Sequence, residues 1–359
     1  MSRPTQITID LAAVRHNLQR VHTLAPGRSV IAMIKANAYG HGLVPIAQAL
    51  QKADAFGVAS LEEALLLRKA DITKPIVLME GLFHRDELEA AAQQEMTLVV
   101  HHAPQLEMLK QMKPAKPFPV WLKINTGMHR LGINPAEFQS YYAALAAMDS
   151  VKKPIGLMTH FAEAELLESP ATLHQLNAFK SLIESHQGPC SLANSAAIIA
   201  WPDSHADWVR PGLMLYGASP FANQTGATHE LQPVMTFESR LIAITQVKRG
   251  GKVGYDGTWS APEDMLVGVV GVGYGDGYPQ FAANGTPLLV NNQKCPLVGR
   301  VSMDMLTVDL RDAPHAKISD PVILWGEGLP VEEVATHCRT SAYEILTRMT
   351  PRPKLVVKD

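Results

Sequence analysis

From residue 25 to about 215, short apolar runs rich in β-branched residues alternate with longer stretches whose apolar positions recur at helical spacing. This is the pattern of repeated strand and helix units around a parallel sheet. The strands fall at 30–35, 55–59, 76–79, 97–100, 120–124, 155–160, 191–194 and 208–215, eight in all. Between them the pattern predicts helices, among them 61–70, 85–95 and 135–147, the last opening with Asn134 as N-cap and Pro135 in the first helical position. Eight such units predict an α/β fold of the (β/α)8 TIM-barrel type, although a doubly wound sheet produces similar alternation.

After Gly217 the texture changes. A polar stretch read as free of helix (218–233) leads to closely spaced apolar runs at 240–247, 265–272, 286–290 and 305–309, punctuated by Gly and Pro. One amphipathic helix at 330–338 and a second around Tyr343 close the chain. The expected division is a barrel over 1–227 and a mainly-β C-terminal domain over 228–359.

Composition narrows the class. With 359 residues, 47% hydrophobic content and a formal charge of -2, the chain can bury a large core, is long enough for two domains and carries no basic footprint for nucleic acid or an anionic membrane. The opening MSRPTQITID has no apolar stretch suited to a signal peptide, and no window is long and apolar enough to span a bilayer, so a cytoplasmic enzyme acting on a small molecule is expected. Cys190, Cys295 and Cys338 are far apart and form no CxxC pair, which favours reduced thiols over a disulfide framework. No metal is expected either: His101 and His102 have no carboxylate or thiol at ligand spacing.

In a TIM barrel the working side chains project from the C-terminal ends of the strands. Lys35, Lys123, His160, Asn194 and Arg210 all fall there. Burying such groups unpaired costs roughly 2 kcal/mol or more each, so they should converge on one ligand. Lys35 ends the run VIAMIK and is followed by the glycine-containing ANAYGHG. A desolvated lysine there has the lowered pKa of a carbonyl-trapping nucleophile. Position alone, however, favours a lysine that lays its stem on apolar surface and keeps its charge in water. The glycine-rich GVGYGDGY tempts a dinucleotide reading, but Asp276 stands at the third required position and no helix follows. It reads as a tight turn near the cleft entrance.

VIAMIKANAYGHG resembles the pyridoxal-lysine segment of the alanine racemases, and the likeness continues in order through WLKINTGMHRLG, HFAEAE, LANSAA, DWVRPGLMLYG, VGYDGTW, GYGDGYP, GRVSMDM and SAYEILTR. The resemblance implies a barrel domain and a β domain, a homodimer with shared active sites, pyridoxal 5'-phosphate as cofactor, and an isomerase interconverting L- and D-alanine. That activity would supply D-alanine for peptidoglycan or degrade it. A racemase of broader specificity, for serine or other amino acids, is the alternative.

Carried over residue by residue, the resemblance implies that Lys35 bears the cofactor and is one of two bases, the other being Tyr255 of a second copy. Tyrosine titrates near ~10, so such a base needs a neighbouring positive charge. The loops after the last two barrel strands hold Ser195 and the pair Gly212 and Leu213, suited to a phosphate, to which Tyr39 and Tyr343 would add phenolic donors. Arg210 would face the pyridine nitrogen, supported by His160, and Asn194 belongs to the same cofactor site. Arg130 would contact the cofactor or the substrate carboxylate, with Lys123, possible as a carbamate, orienting it. Met303 and Asp304 would touch the substrate end from the other subunit. Two positions depart from the usual family wording: Asn125 where Asp is frequent and His129 where Gly is frequent. A decarboxylase on a similar barrel would place an acid where Arg210 stands; a non-catalytic carrier would need no β domain, and a simple lysine aldolase no phosphate loops.

Overall fold

The computed structural model describes residues 3–184 and 186–359. Strand β1 (Gln6–Asp10) leads directly into the helix Leu11–Leu24, whose N-cap Asp10 accepts the Ala13 N–H at 2.9 Å. Eight further strands then close into an all-parallel barrel: β2 (Ser29–Met33), β3 (Ala55–Val58), β4 (Ile76–Leu78), β5 (Thr97–Val100), β6 (Val120–Lys123), β7 (Gly156–Met158), β8 (Cys190–Ser191) and β9 (Trp208–Val209). The closing pairs are Ser29 with Trp208 and Val30 with Val209. Every residue of β3 to β8 is buried, as strands sandwiched between a packed barrel interior and an outer ring of helices require.

All eight barrel strands read from the pattern are present; β5 keeps the bounds read for it and the others end earlier. Lys35 lies two residues beyond β2 rather than at its last position, and Asn194 lies beyond β8. The run 208–215 is extended only over Trp208–Val209; Pro211 cannot donate to a ladder, and Leu213–Tyr216 winds into a single 3-10 turn. Between β6 and β7 the capping signal is realised in full. Asn134 caps Pro135–Glu137, a 3-10 turn that continues as the helix Phe138–Ala146.

The second domain is built on β10 (Met235–Val247), β11 (Lys252–Val253), β12 (Trp259–Ser260), β13 (Met265–Val270), β14 (Pro287–Val290), β15 (Gln293–Pro296), β16 (Leu306–Asp309), β17 (Pro321–Trp325) and β18 (Lys354–Lys358). Its main sheet runs β15-β14-β17-β10-β1-β18, while β11 and β12 form a separate hairpin. The long β10 shifts register between Leu241 and Ala243 and pairs β13 with its second half, and β13 in turn pairs β16.

Two expectations need correction. Residues 6–10 do not belong to the barrel: β1 lies between β10 and β18, with Ile7 and Ile9 buried and the alternate residues half exposed. The stretch 218–233, read as free of helix, contains the 3-10 turn Gly226–His229. One continuous apolar cluster runs from the barrel into the second domain, so the chain's first strand ties the two ends of a shared core.

Ile9, fully buried at the centre of that seam, provides the check. Ile9→Ala is expected to cost about 2–5 kcal/mol in urea unfolding; a loss under about 1 kcal/mol, the size of a surface change, would contradict the central place of β1.

Candidate active site

The C-terminal mouth of the barrel opens into a cavity of about 1020 Å³. Lys35, Tyr39, Lys123, Arg130, His160, Asn194, Ser195, Arg210, Gly212 and Tyr343 all line it. Most come from the ends of different barrel strands. Tyr343 comes from the helix Ala342–Thr347 of the second domain.

Lys35 opens an unusual turn. Ala36, Asn37, Ala38 and Tyr39 have φ of 53°, 54°, 53° and 52°, a left-handed turn in four consecutive non-glycine residues. Each costs roughly 1–2 kcal/mol against the right-handed alternative, so the surroundings must enforce it. Glu63, in the first turn of the helix Leu61–Lys69, accepts the Ala36 N–H at 2.6 Å and the Ala59 N–H at 2.8 Å. Asn37 Oδ1 accepts the Leu43 N–H at 2.8 Å, and the buried His41 donates from Nδ1 to the Tyr39 carbonyl at 2.8 Å. Gly40 has φ 82°, and a Cβ there would lie 2.0 Å from the Leu346 carbonyl oxygen. Only glycine lets the turn press against the helix that carries Tyr343. The turn thereby sets Lys35 and Tyr39 with one geometry.

After β8, Ser195 Oγ accepts N–H groups from Gly212 at 2.9 Å and Met214 at 3.3 Å. Its own proton is thus left to donate elsewhere. Asn194 caps the helix Ser195–Ala200 by accepting the Ala197 N–H at 3.0 Å. The Gly212 N–H is therefore engaged by Ser195, and Leu213 has its side chain buried behind the wall while it heads the turn Leu213–Tyr216. A Cβ on Gly212 would sit 2.6 Å from the Tyr39 hydroxyl, so the missing side chain keeps open a cradle beside that phenol. Burial pushes the Tyr39 phenol up to about 12 and raises Tyr343 as well. Both stay protonated donors, and the Tyr39 ring is stacked on Tyr216 with centroids 4.7 Å apart.

Arg210 is buried and donates to Ser191 Oγ at 2.7 Å, to the carbonyls of Thr159 at 2.5 Å and Leu192 at 3.1 Å, and to His160 Nδ1 at 3.3 Å. None of these acceptors is charged. Burial lowers its pKa to about 10, which still leaves a full charge at neutral pH. His160 is held well below its ordinary value, first by burial and then by Arg210 and the other cations. It is neutral, with Nδ1 accepting from the arginine and the proton on Nε2.

Lys123 is 7% exposed, and burial, reinforced by Arg210, Arg130 and Lys35, brings its pKa down to about 7. Glu80 and Glu165 also line the cavity. Neither was singled out from the sequence, nor were Glu63 and His41; of the supports around Lys35, only Asn37 carried a signal, since Asn tolerates positive φ. The two unusual residues of the Arg130 loop answer each other: His129 has φ 55°, and Asn125 donates from Nδ2 to His129 Nδ1 at 3.1 Å while its Oδ1 accepts the His129 N–H at 2.9 Å.

A cleft with a lysine on a rigid turn and a cradle of neutral donors in the same cavity fits a cofactor enzyme, and the comparisons decide which. The family model for the alanine racemase N-terminal domain matches residues 9–220, and that for the alanine racemase C-terminal domain matches residues 234–357. The chain belongs to the alanine racemase family. The alanine racemase of Shewanella piezotolerans is 51% identical over 344 residues, 96% of each chain. The crystal structure of the biosynthetic alanine racemase from Pseudomonas aeruginosa superposes with a TM-score of 0.97 at 43% identity, over 99% of this chain and 100% of that one. The alanine racemase from Bartonella henselae, solved with covalently bound pyridoxal phosphate, superposes with a TM-score of 0.89 at 30% identity over 99% of each chain.

The other three residues to which the alanine racemase resemblance gives roles lie away from this cavity. Tyr255, in the turn Tyr255–Gly257 between β11 and β12, is 68% exposed, and Met303 is 53% exposed. Asp304 stands beside Met303, half exposed. Among the described residues no group of three His, Cys, Asp or Glu side chains could hold a metal ion, and no helix is long and apolar enough to cross a membrane.

Lys123 makes the electrostatics measurable. Between pH 7 and its ordinary value of 10.5 the unfolded chain binds a proton that the folded chain does not. Stability therefore rises with pH across that window, the penalty being whole below it and gone above it. Urea unfolding across the alkaline limb should show this rise, and Lys123→Met should flatten it. Identical slopes in the two proteins would contradict a buried, proton-poor Lys123.

Proposed function

We propose that this chain racemises alanine, with pyridoxal 5'-phosphate held covalently by Lys35 and each active site completed by a second copy of the chain. The observation that carries the reading is the cradle in which the open face of Gly212 lies beside the Tyr39 phenol and the Ser195 hydroxyl, with the Tyr343 ring 6.1 Å from that of Tyr39, all in the cavity that Lys35 lines. These neutral hydroxyl donors suit a phosphate. Leu213 adds the backbone of the last loop, and Asn194 holds the helix whose start forms the floor. When bound, the cofactor supplies the electron sink that makes the α-proton of alanine removable.

The protein's residues do the rest. Arg210 would hold the ring nitrogen as a donor with no proton to give up, which would keep the sink weak and disfavour side reactions; His160 holds Arg210 in place. An acid at that position, as a decarboxylase would require, is absent from its surroundings. Arg130 binds the substrate carboxylate, and Lys123 orients it. The near-neutral Lys123 amine also suits addition to carbon dioxide, forming an N–C bond with loss of one proton; the resulting carbamate anion would sit among Arg130, Arg210 and Lys35. Lys35 takes or returns the α-proton on one face, and Tyr255 of the second copy does so on the other. Met303 and Asp304 bound the substrate end from that same copy. The exposure of all three is what such a role requires of a single chain.

The names of the relatives favour alanine over a broader range of amino acids, and a cytoplasmic supply of D-alanine for peptidoglycan fits the biosynthetic Pseudomonas aeruginosa neighbour. The test joins two readouts. The purified protein should be yellow, lose its visible band on borohydride treatment with the reduced cofactor on a peptide containing Lys35, and racemise alanine fastest in a panel of amino acids. A colourless protein, a different labelled lysine, or preference for another amino acid would overturn the assignment.

A further inference from the structure

The stretch GVGYGDGY is a turn, as its sequence suggests, but one that grips another segment. Asp276 ends the 3-10 turn Tyr274–Asp276 and is fully buried. Its Oδ2 accepts the Gly273 N–H at 3.0 Å and Arg3 Nη2 at 2.6 Å, while Oδ1 makes no hydrogen bond and lies 3.5 Å from Arg352 Nε. Both arginines continue to Asp304. Arg352 Nη2 donates to Asp304 Oδ1 at 2.6 Å, and Arg3 reaches the same oxygen from Nη1 at 3.4 Å and the Asp304 carbonyl from Nη2 at 3.2 Å. These arginines hold the Asp304 carboxyl below its ordinary range.

The backbones are tied as well. The Tyr274 N–H donates to the Ser302 carbonyl at 3.1 Å and the Gly275 N–H to the Met303 carbonyl at 2.9 Å. Side chains are excluded from the contact: a Cβ on Gly273 would lie 2.3 Å from the Ser302 carbonyl oxygen, and one on Gly275 would lie 2.0 Å from Arg352 Nη1. Thr350, two residues before Arg352, donates to the Gly275 carbonyl at 2.9 Å. A buried carboxylate with a spare oxygen is costly to keep, and besides the Gly273 N–H this one faces two arginines from opposite ends of the chain.

We propose that Asp276, Arg352 and Arg3 are positioning residues for the racemisation, a frame anchored on the buried Asp276 that holds Met303 and Asp304 in the orientation needed at the substrate end of the neighbouring copy's site. This rests on the reading of Met303 and Asp304 given above. The frame touches no substrate itself; it acts by fixing the Asp304 carboxyl through the two arginines and the Met303 backbone through the Gly275 N–H.

The test is steady-state kinetics of the holoenzyme for Asp304→Asn, Asp276→Asn, Arg352→Gln and the Asp304→Asn/Arg352→Gln double variant, each checked for its visible cofactor band and melting temperature. Each single variant should raise KM for alanine by about tenfold with little change in kcat, the size expected for residues coupled in one ion-pair network. The double variant should be no worse than Asp304→Asn alone. If Asp304→Asn leaves KM unchanged, the reading of the substrate end fails. If it raises KM while Arg352→Gln and Asp276→Asn do not, or if the double variant's losses multiply, the frame is refuted. Should Asp276→Asn lose its cofactor band, Arg352→Lys decides alone, since it keeps the charge without the fork: a raised KM supports the frame, and a wild-type KM overturns it.

Discussion

Four successive residues in a left-handed turn are a strained way to leave a β-strand, and much of the site depends on that strain being held. The carboxylate of Glu63 fixes the start of the turn, the Asn37 side chain braces its far end, and His41 closes the loop from beneath. With these supports Lys35 cannot swing with the loop, and the Tyr39 ring is locked on Tyr216. Gly40 then brings the turn against the Leu346 carbonyl, so the helix bearing Tyr343 is placed by the same device. A right-handed path after Lys35 would dissolve all three relations together. Strain concentrated at a working residue is a recurring way to obtain rigidity where function needs it.

The second organising feature is charge without a matching carboxylate. Arg210 is surrounded by carbonyls, a hydroxyl and a neutral imidazole, while Lys123, Arg130 and Lys35 face the same cavity. Glu80 and Glu165 offset part of this field. The remainder adds to burial in lowering Lys123 and His160 and makes the cavity a site for anions. The same field would stabilise a cofactor phosphate, a substrate carboxylate and, on Lys123, a carbamate.

Much of this was legible in the sequence, for physical reasons. Barrel strands buried on both faces read as short β-branched runs, which is why all eight could be found and why the polar residues just beyond them stood out. What escaped was non-local. QITID is too short to announce a strand whose partners Met235–Val247 and Lys354–Lys358 lie far along the chain, and β1 was therefore counted with the barrel. GVGYGDGY was legible as a turn, but its partners Arg3 and Arg352 stand at opposite ends of the chain. The supports of Lys35 were hidden for another reason: Glu63 looks like any acidic residue in a first helical turn, and only the fold shows that it reaches back to Ala36.

One chain holds Lys35, the cradle and Arg210 in a single cavity, and holds Tyr255, Met303 and Asp304 on its exterior. Under the proposed function these are two halves of one site that would meet only between copies. Subunit mixing tests this most directly. Lys35→Ala and Tyr255→Phe chains, each inactive as a homodimer, are co-expressed with different tags, and the hybrid is purified and assayed for alanine racemisation. If each site draws its lysine from one copy and its tyrosine from the other, the hybrid contains one intact site and recovers about half of the wild-type activity, as expected for independent sites on a symmetric dimer. A hybrid as inactive as its parents would place both residues in the same chain's site and contradict the account.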